Sequence, residues 1–301
     1  MNLLITGAFN WKEEQIKALS ECGYKIFYIE KEDADLCLDV SMIDAVVCNY
    51  LFVHHDIGLF KNLKIVQLLS AGLDRIPIDY VNEHNIKVYN ARGVYSIPMA
   101  EFAICGVLQL YKKSHFFARN QKHHHWEKNR ELEELTDKTV CIIGTGSIGV
   151  EVAKRFNAFT ENVIGVDLNP QSNALFKKIY PIDQLNNVIS TSDIVILTLP
   201  LNNNTYGMFD ETRFSYFKKK SILVNISRGG LVSEKALLKE LDTNIAGAVL
   251  DVFEEEPMNK ENPLWDRDNV IITPHNSFVS NKNNERMWKL ILENMKHIEI
   301  E

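Results

Sequence analysis

Three stretches of the 301-residue chain carry side chains suited to anion binding and proton transfer. They are Val224-Asn-Ile-Ser-Arg-Gly-Gly230, Leu250-Asp-Val-Phe-Glu-Glu-Glu-Pro257 and Ile272-Thr-Pro-His-Asn-Ser-Phe278. The planar guanidinium of Arg228 can grip a carboxylate through two hydrogen bonds and polarise a carbonyl beside it. The imidazole of His275 can give or take a proton near neutral pH, and a carboxylate on its far nitrogen would fix the tautomer and favour the charged ring. Each stretch alone also has a plain reading. Arg228 before two glycines suits a surface cation on a turn, the acidic run a solvated loop, and His275 after Pro274 a packed loop histidine.

A glycine-rich segment upstream supplies context: "VCIIGTGSIGVEVAKRF", residues 140–156. Val140 to Ile143 is a short apolar run ending at Gly144, and Ile148, Val152 and Phe156 then recur at helical spacing. The loop therefore joins a strand to a helix. There Gly144 permits a tight turn, Gly146 lets a pyrophosphate approach the backbone, and Gly149 lets the helix pack closely. A second strand ends at Asp167, 18 residues past Gly149, near the spacing expected of a carboxylate that accepts from a ribose diol. The competing reading, a turn aspartate ahead of Asn169-Pro170, is weakened by the ordered strand, loop, helix, strand and acid. The same carboxylate would repel a 2′-phosphate, so NAD is favoured over NADP. Beside a nicotinamide, an anion fork, an acid and a proton shuttle together suit hydride transfer to a 2-oxo acid.

These groups need elements to hold them. Short apolar runs at Leu3 to Thr6, Lys25 to Ile29, Ala45 to Cys48, Ile65 to Leu69 and Lys87 to Tyr89 alternate with helical patterns, which predicts a buried parallel sheet. From Pro98 to about Arg119 the pattern predicts one long helix, a joint between domains. Strands resume at Thr139 to Ile143, Asn162 to Val166, Ile194 to Leu197, Ser221 to Asn225, Ile245 to Val249 and Val270 to Ile272. His123, His124 and His125 lie between the two sets. Adjacent helical residues point about 100° apart, so the run reads as a solvated helix end rather than a metal site.

The totals agree with a small-molecule enzyme. A net charge of −7 and 46% apolar content, with a pI near 5.8, describe a globular chain without the basic surplus that nucleic acid or anionic membrane would require. The five cysteines, Cys22, Cys37, Cys48, Cys105 and Cys141, are odd in number and include no C-x-x-C pair. The N-terminus lacks the marks of a cleaved signal, and no apolar run approaches the ~18 residues of a membrane span. A cytoplasmic location is expected.

The chain resembles the D-isomer-specific 2-hydroxyacid dehydrogenase family through seven ordered blocks. They are "SAGLD" from Ser70, "NARGVYSIPMAEFAI" from Asn90, "TVCIIGTGSIG" from Thr139, "LTLPLNNNT" from Leu197, "NISRGGLV" from Asn225, "DVFEEEP" from Asp251 and "TPH" from Thr273. The resemblance implies that Arg228 binds the substrate carboxylate and carbonyl, that His275 is the general acid/base, and that Glu256 is its partner. It implies an NAD site of Gly144, Gly146, Ser147, Ile148, Gly149, Asp167, Pro200, Thr205, Ile226, Ser227, Arg228, Asp251 and His275, and substrate contacts from the main chain at Ala71 and Gly72. No role falls to Glu254 or Glu255, which read as solvated charge.

It further implies an α/β fold of two domains, a Rossmann-type NAD-binding domain over 98–275 inserted into a flavodoxin-like substrate domain formed by 1–97 and 276–301, and a homodimer. Arg286, Trp288, Ile291 and Met295 would lie on a final helix that covers a surface. Two departures touch the substrate pocket: Asn-Ser-Phe after His275 where many members are small, and the aromatic stretch Asn49-Tyr50-Leu51-Phe52. Phe278 and Tyr50 either favour a modest apolar substrate side chain or pack between domains. The choice among lactate-like, branched-chain, hydroxypyruvate and glyoxylate substrates stays open. An NAD(H)-sensing regulatory protein of the same fold is the main alternative, and a formate dehydrogenase fits less well because it carries an amide in place of the glutamate.

Overall fold

Runs such as Ala45–Cys48 and Val140–Ile143 have no polar position on either face, and every residue in them is buried. That is the signature of a central strand with helices on both sides. The computed structural model describes residues 1–296. Its chain divides into two compact units, Met1–Tyr95 with the chain from Ser280 onward, and Ser96–Val279.

In the first unit the strands are β1 (Asn2–Thr6), β2 (Lys25–Ile29), β3 (Ala45–Cys48), β4 (Ile65–Leu68) and β5 (Lys87–Tyr89). They form a parallel sheet in the order β2-β1-β3-β4-β5, the doubly wound order of flavodoxin-like folds. The half-exposed edges, β2 and β5, enclose the fully buried β3 and β4. The final helix, Asn283–Lys296, packs Met287, Ile291 and Met295 against Leu3, Ile5, Leu19 and Val47. Burying each such side chain is worth about 1.5–3 kcal/mol relative to exposure. Polar ties fix its register: Tyr24 Oη donates to the Met295 carbonyl at 3.1 Å and Asn294 Nδ2 to Gln67 Oε1 at 2.7 Å. Trp288 is partly buried on the same core, and Arg286 donates to the Val94 carbonyl.

The second unit contains β6 (Val140–Ile143), β7 (Val163–Asp167), β8 (Lys178–Pro181), β9 (Ile194–Leu197), β10 (Ile222–Asn225), β11 (Gly247–Leu250) and β12 (Val270–Ile272). All pair in parallel, in the order β12-β11-β10-β9-β6-β7-β8. The order reverses between β6 and β9, so a crevice opens at the carboxyl end of β6, where the glycine loop begins. Strand β8 had no clear sequence signal, being a partly exposed edge whose pattern is set by pairing with β7.

The single helix expected from Pro98 to Arg119 is two helices, Ser96–Tyr111 and Ser114–Lys122. Lys113 between them is left-handed, with φ 50°. The break is tertiary in origin, because the Tyr111 carbonyl accepts the N–H of Glu133 at 3.1 Å instead of continuing the helix. His123 ends the second helix, its N–H donating to the carbonyls of Arg119 and Asn120, and His124 follows at φ 57°. Among the described residues no group of three His, Cys, Asp or Glu side chains is placed to hold a metal ion. Among the same residues no helix is long and apolar enough to cross a membrane. The chain leaves the second unit after Val279 rather than after His275, because the N–H groups of Asn276 and Ser277 are held by Asp251 of that unit.

Candidate active site

The glycine loop is built as a strand-to-helix turn. Gly144 has φ +97°, a value other residues rarely adopt, and a β-carbon there would sit 3.0 Å from the Thr198 backbone. A β-carbon on Gly149 would fall 2.1 Å from the Gly144 carbonyl oxygen, so only glycine allows the helix Ser147–Phe156 to start this close to the loop. At Gly146, by contrast, a β-carbon would meet nothing within 4 Å. The space in front of this residue is open, and the first helical N–H groups follow it, which is the cradle a pyrophosphate requires.

Asp167, the last residue of β7, does more than face that space. Its Oδ2 accepts the backbone N–H of Thr145 at 2.7 Å and the Thr145 hydroxyl at 2.9 Å, and Oδ1 accepts the Asn169 N–H at 3.0 Å. Burial works to raise its pKa, but the N–H donors at Thr145, Asn169 and Leu168 and the Thr145 hydroxyl outweigh it and hold the carboxyl below the ordinary range. The group is therefore an anion at neutral pH and a brace for the loop. Thr145, a threonine between two loop glycines, carries no signal of its own in the sequence.

The next strand ends supply the other groups. After β9, the Thr205 hydroxyl donates to the Pro200 carbonyl at 2.7 Å and accepts the Asn202 N–H at 2.8 Å, which closes the 200–205 loop on itself. After β10, Ile226 is buried and Ser227 Oγ donates to the Leu199 carbonyl, joining that loop to the one that follows. Arg228 is half-buried, with extended backbone, and its Nη1 donates to the Ser227 carbonyl at 2.9 Å. The Asn225 amide holds this turn from beneath, donating to the Arg228 carbonyl at 3.0 Å and accepting the Ser227 N–H at 3.2 Å.

The turn bearing Arg228 is locked to the loop after β11. A β-carbon on Gly229 would stand 1.8 Å from the Phe253 carbonyl oxygen. Glu254 is not simply solvated charge as expected: its Oε1 accepts the Glu234 N–H at 2.7 Å, and the Glu254 N–H donates to Glu234 Oε1 at 2.8 Å. Such reciprocal bonds depend on a chain reversal that spacing in the sequence does not reveal.

His275 and Glu256 meet on top of this scaffold. His275 Nδ1 lies 2.7 Å from Glu256 Oε2, and the second carboxylate oxygen accepts the Phe253 N–H at 3.1 Å. The two side chains are 38% and 36% exposed, so the pair is reachable by a small molecule. With Nδ1 donating to the carboxylate, Nε2 is the atom that faces outward chemistry. The ring edge of Phe278 stands against the imidazole, centroids 6.0 Å apart at 89°. Asp251 is fully buried and takes its hydrogen bonds from the segment around His275.

Tyr50, Ala71 and Gly72 belong to the other unit. Tyr50 follows β3 and carries the Arg75 guanidinium over its ring at 3.9 Å, while Arg75 also donates to the Asn49 amide oxygen. Ala71 and Gly72 follow β4, their carbonyls accepting from Asn90 Nδ2 at 2.7 Å and Ser70 Oγ at 2.9 Å. Both stretches sit at carboxyl ends of strands. Arg75, directly after "SAGLD", carries no signal in the sequence, because only its stacking on Tyr50 distinguishes it from a surface cation.

Comparison with known proteins gives consistent matches. Residues 104–277 match the domain described as D-isomer specific 2-hydroxyacid dehydrogenase, NAD binding domain. The chain is 32% identical over 276 residues to a glyoxylate reductase of Thermofilum pendens, covering 89% of this chain and 78% of that protein. It is 36% identical over 220 residues to a D-3-phosphoglycerate dehydrogenase of Archaeoglobus fulgidus, covering 71% of this chain but 41% of that protein, so it spans less than half the length of that relative. A crystal structure of a D-lactate dehydrogenase of Aquifex aeolicus complexed with NAD and lactic acid aligns with a TM-score of 0.79 at 25% identity, over 98% of this chain and 94% of that one.

Proposed function

Because the chain belongs to the D-isomer-specific 2-hydroxyacid dehydrogenase family, we propose that it interconverts a small 2-oxo acid and its D-2-hydroxy acid, with Arg228, Glu256 and His275 as catalytic residues. NAD(H), the cofactor of the family's binding domain, supplies or accepts the hydride when bound. The observation that carries the assignment is the 2.7 Å contact between His275 Nδ1 and Glu256 Oε2. It leaves Nε2 to give its proton to the oxygen that becomes a hydroxyl, and to take it back in the oxidation. Arg228 pairs with the substrate carboxylate and draws electron density from the neighbouring carbonyl.

In this reading the N–H groups at Gly146, Ser147, Ile148 and Gly149, beyond the turn at Gly144, hold the pyrophosphate. Asp167 accepts from the ribose, and Pro200, Thr205, Ile226, Ser227 and Asp251 line the remainder. Open space before Gly146 and an anionic Asp167 both support the fit. Phe278, edge-to-face with the His275 ring, shapes the room for the substrate side chain.

The relatives named glyoxylate reductase and D-3-phosphoglycerate dehydrogenase set the first compounds to try. NADH consumption is to be followed by absorbance with glyoxylate, pyruvate, hydroxypyruvate, branched 2-oxo acids and the 2-oxo form of 3-phosphoglycerate. Turnover of at least one, abolished in His275→Ala, is the expected result. Tight NADH binding with no turnover of any would instead indicate a cofactor-sensing protein.

A homodimer in the cytoplasm completes the proposal. Support for self-association comes from Trp126, 99% exposed, which shares a surface groove with the exposed Phe117 and Leu132. Trp126→Arg would then sediment as a monomer where the native chain sediments as a dimer. The uncrosslinked cysteines agree with a reducing compartment.

A further inference from the structure

His275 has φ 50°, a left-handed conformation that a residue with a β-carbon keeps only when its surroundings enforce it. Four enforcing bonds end on Asp251. Its carbonyl accepts the His275 N–H at 2.7 Å. Its Oδ1 accepts the Thr273 hydroxyl at 2.6 Å and the Asn276 N–H at 2.7 Å, and Oδ2 accepts the Ser277 N–H at 2.9 Å. The donors bracket the histidine on both sides in sequence. Asp251 is fully buried, and its own N–H donates to the Asn225 carbonyl at 3.0 Å, which anchors it to the strand end below Arg228.

We propose that Asp251 is a positioning residue, which acts on the reaction through the loop of His275 and aims the imidazole at Glu256. This rests on the acid/base role assigned to His275. A carboxylate suits the task because its two oxygens accept and never donate, and all three groups aimed at them are donors. An asparagine offers one oxygen, and its NH2 would confront at least one of those donors. The unpaired buried N–H would disfavour the held loop by about 5- to 150-fold. Asp251 itself need not touch the substrate to affect turnover.

A double-mutant cycle on the full-length protein separates this role from a direct one. Asp251→Asn should lower kcat about 30-fold in the native background and less than about 3-fold in the His275→Gln background, because residues that act as a unit are not additive. Proton NMR gives a readout independent of turnover: a low-field resonance from the His275–Glu256 hydrogen bond, absent in His275→Gln, should weaken or vanish in Asp251→Asn. Thr273→Val removes one of the three bonds with little change in shape. It should show the same background dependence in milder form, and serves if Asp251→Asn does not fold. Equal losses in both backgrounds, or an intact low-field resonance in Asp251→Asn, would overturn the proposal while leaving His275 as the acid/base. Native turnover by His275→Gln would overturn both.

Discussion

Glu256 and His275 come from the loops after consecutive strands, 19 residues apart, and meet with Oε2 2.7 Å from Nδ1. The carboxylate fixes the tautomer and orientation of the ring, which leaves Nε2 to exchange the proton. In Glu256→Gln the shape and one hydrogen bond survive but the charge does not. The variant should fold and bind NADH, yet lose about tenfold or more in kcat for reduction. Steady-state kinetics beside an NADH titration checks this. A native kcat in the variant would remove Glu256 from the pair.

Arg228 is held by Asn225 from below and by the Gly229 contact with Phe253 from the side. Arg228→Lys keeps the charge on that scaffold and loses the planar fork. The variant should fold and bind NADH, yet lose about 100-fold or more in kcat/KM for the oxo acid, the equivalent of about 3 kcal/mol. Steady-state kinetics with NADH titration decides the matter, and native efficiency would place Arg228 outside the site.

Two glycines of the second unit should respond oppositely to an added methyl group. In Gly229→Ala the β-carbon has the Phe253 carbonyl 1.8 Å away, so backbone must move. A cost of about 3 kcal/mol lowers the Tm of a unit of this size by about 6–12 °C. In Gly146→Ala the methyl meets open space, so Tm should hold while the KM for NADH rises about tenfold or more as the pyrophosphate is pushed away. Calorimetry alongside kinetics tests both; a Gly146→Ala variant with native KM would put the cofactor elsewhere.

Asp167 predicts cofactor choice and an acid-sensitive loop. A carboxylate facing a 2′-phosphate costs at least about 2 kcal/mol, so NADH should exceed NADPH by about thirtyfold in kcat/KM, and Asp167→Ser should narrow the ratio. Because hydrogen bonds from Thr145 and Asn169 hold this carboxyl below its ordinary range, its contribution to stability is present above the unfolded value of about 3.9. It is lost as pH falls through the lower folded value. Thermal melts from pH 6 to 2.5 should show less acid sensitivity in Thr145→Val, which lacks one donor. Equal use of both cofactors by the native protein would sink the assignment.

Much of this protein is written in local order. The wholly apolar runs at β3, β6 and β9 can only be buried strands, and the alternation with helices then dictates parallel sheets. The glycine loop and Asp167 announce a dinucleotide site because each glycine solves a problem of its immediate neighbours. What the sequence did not disclose depends on partners distant along the chain. The helix from Ser96 stops at Tyr111 because Glu133 takes its carbonyl, and no periodicity within the helix records that. Glu254 looks like one of three equivalent acids until the fold sets it against the Glu234 N–H. Asp251 reads as an ordinary strand-end acid, yet burial and the loop of His275 turn its carboxylate inward as a brace. Residue type and spacing thus determined which chemistry is present, while hydrogen bonds between separate strand ends decided where each group points, since those bonds exist only once the sheet has brought the ends together.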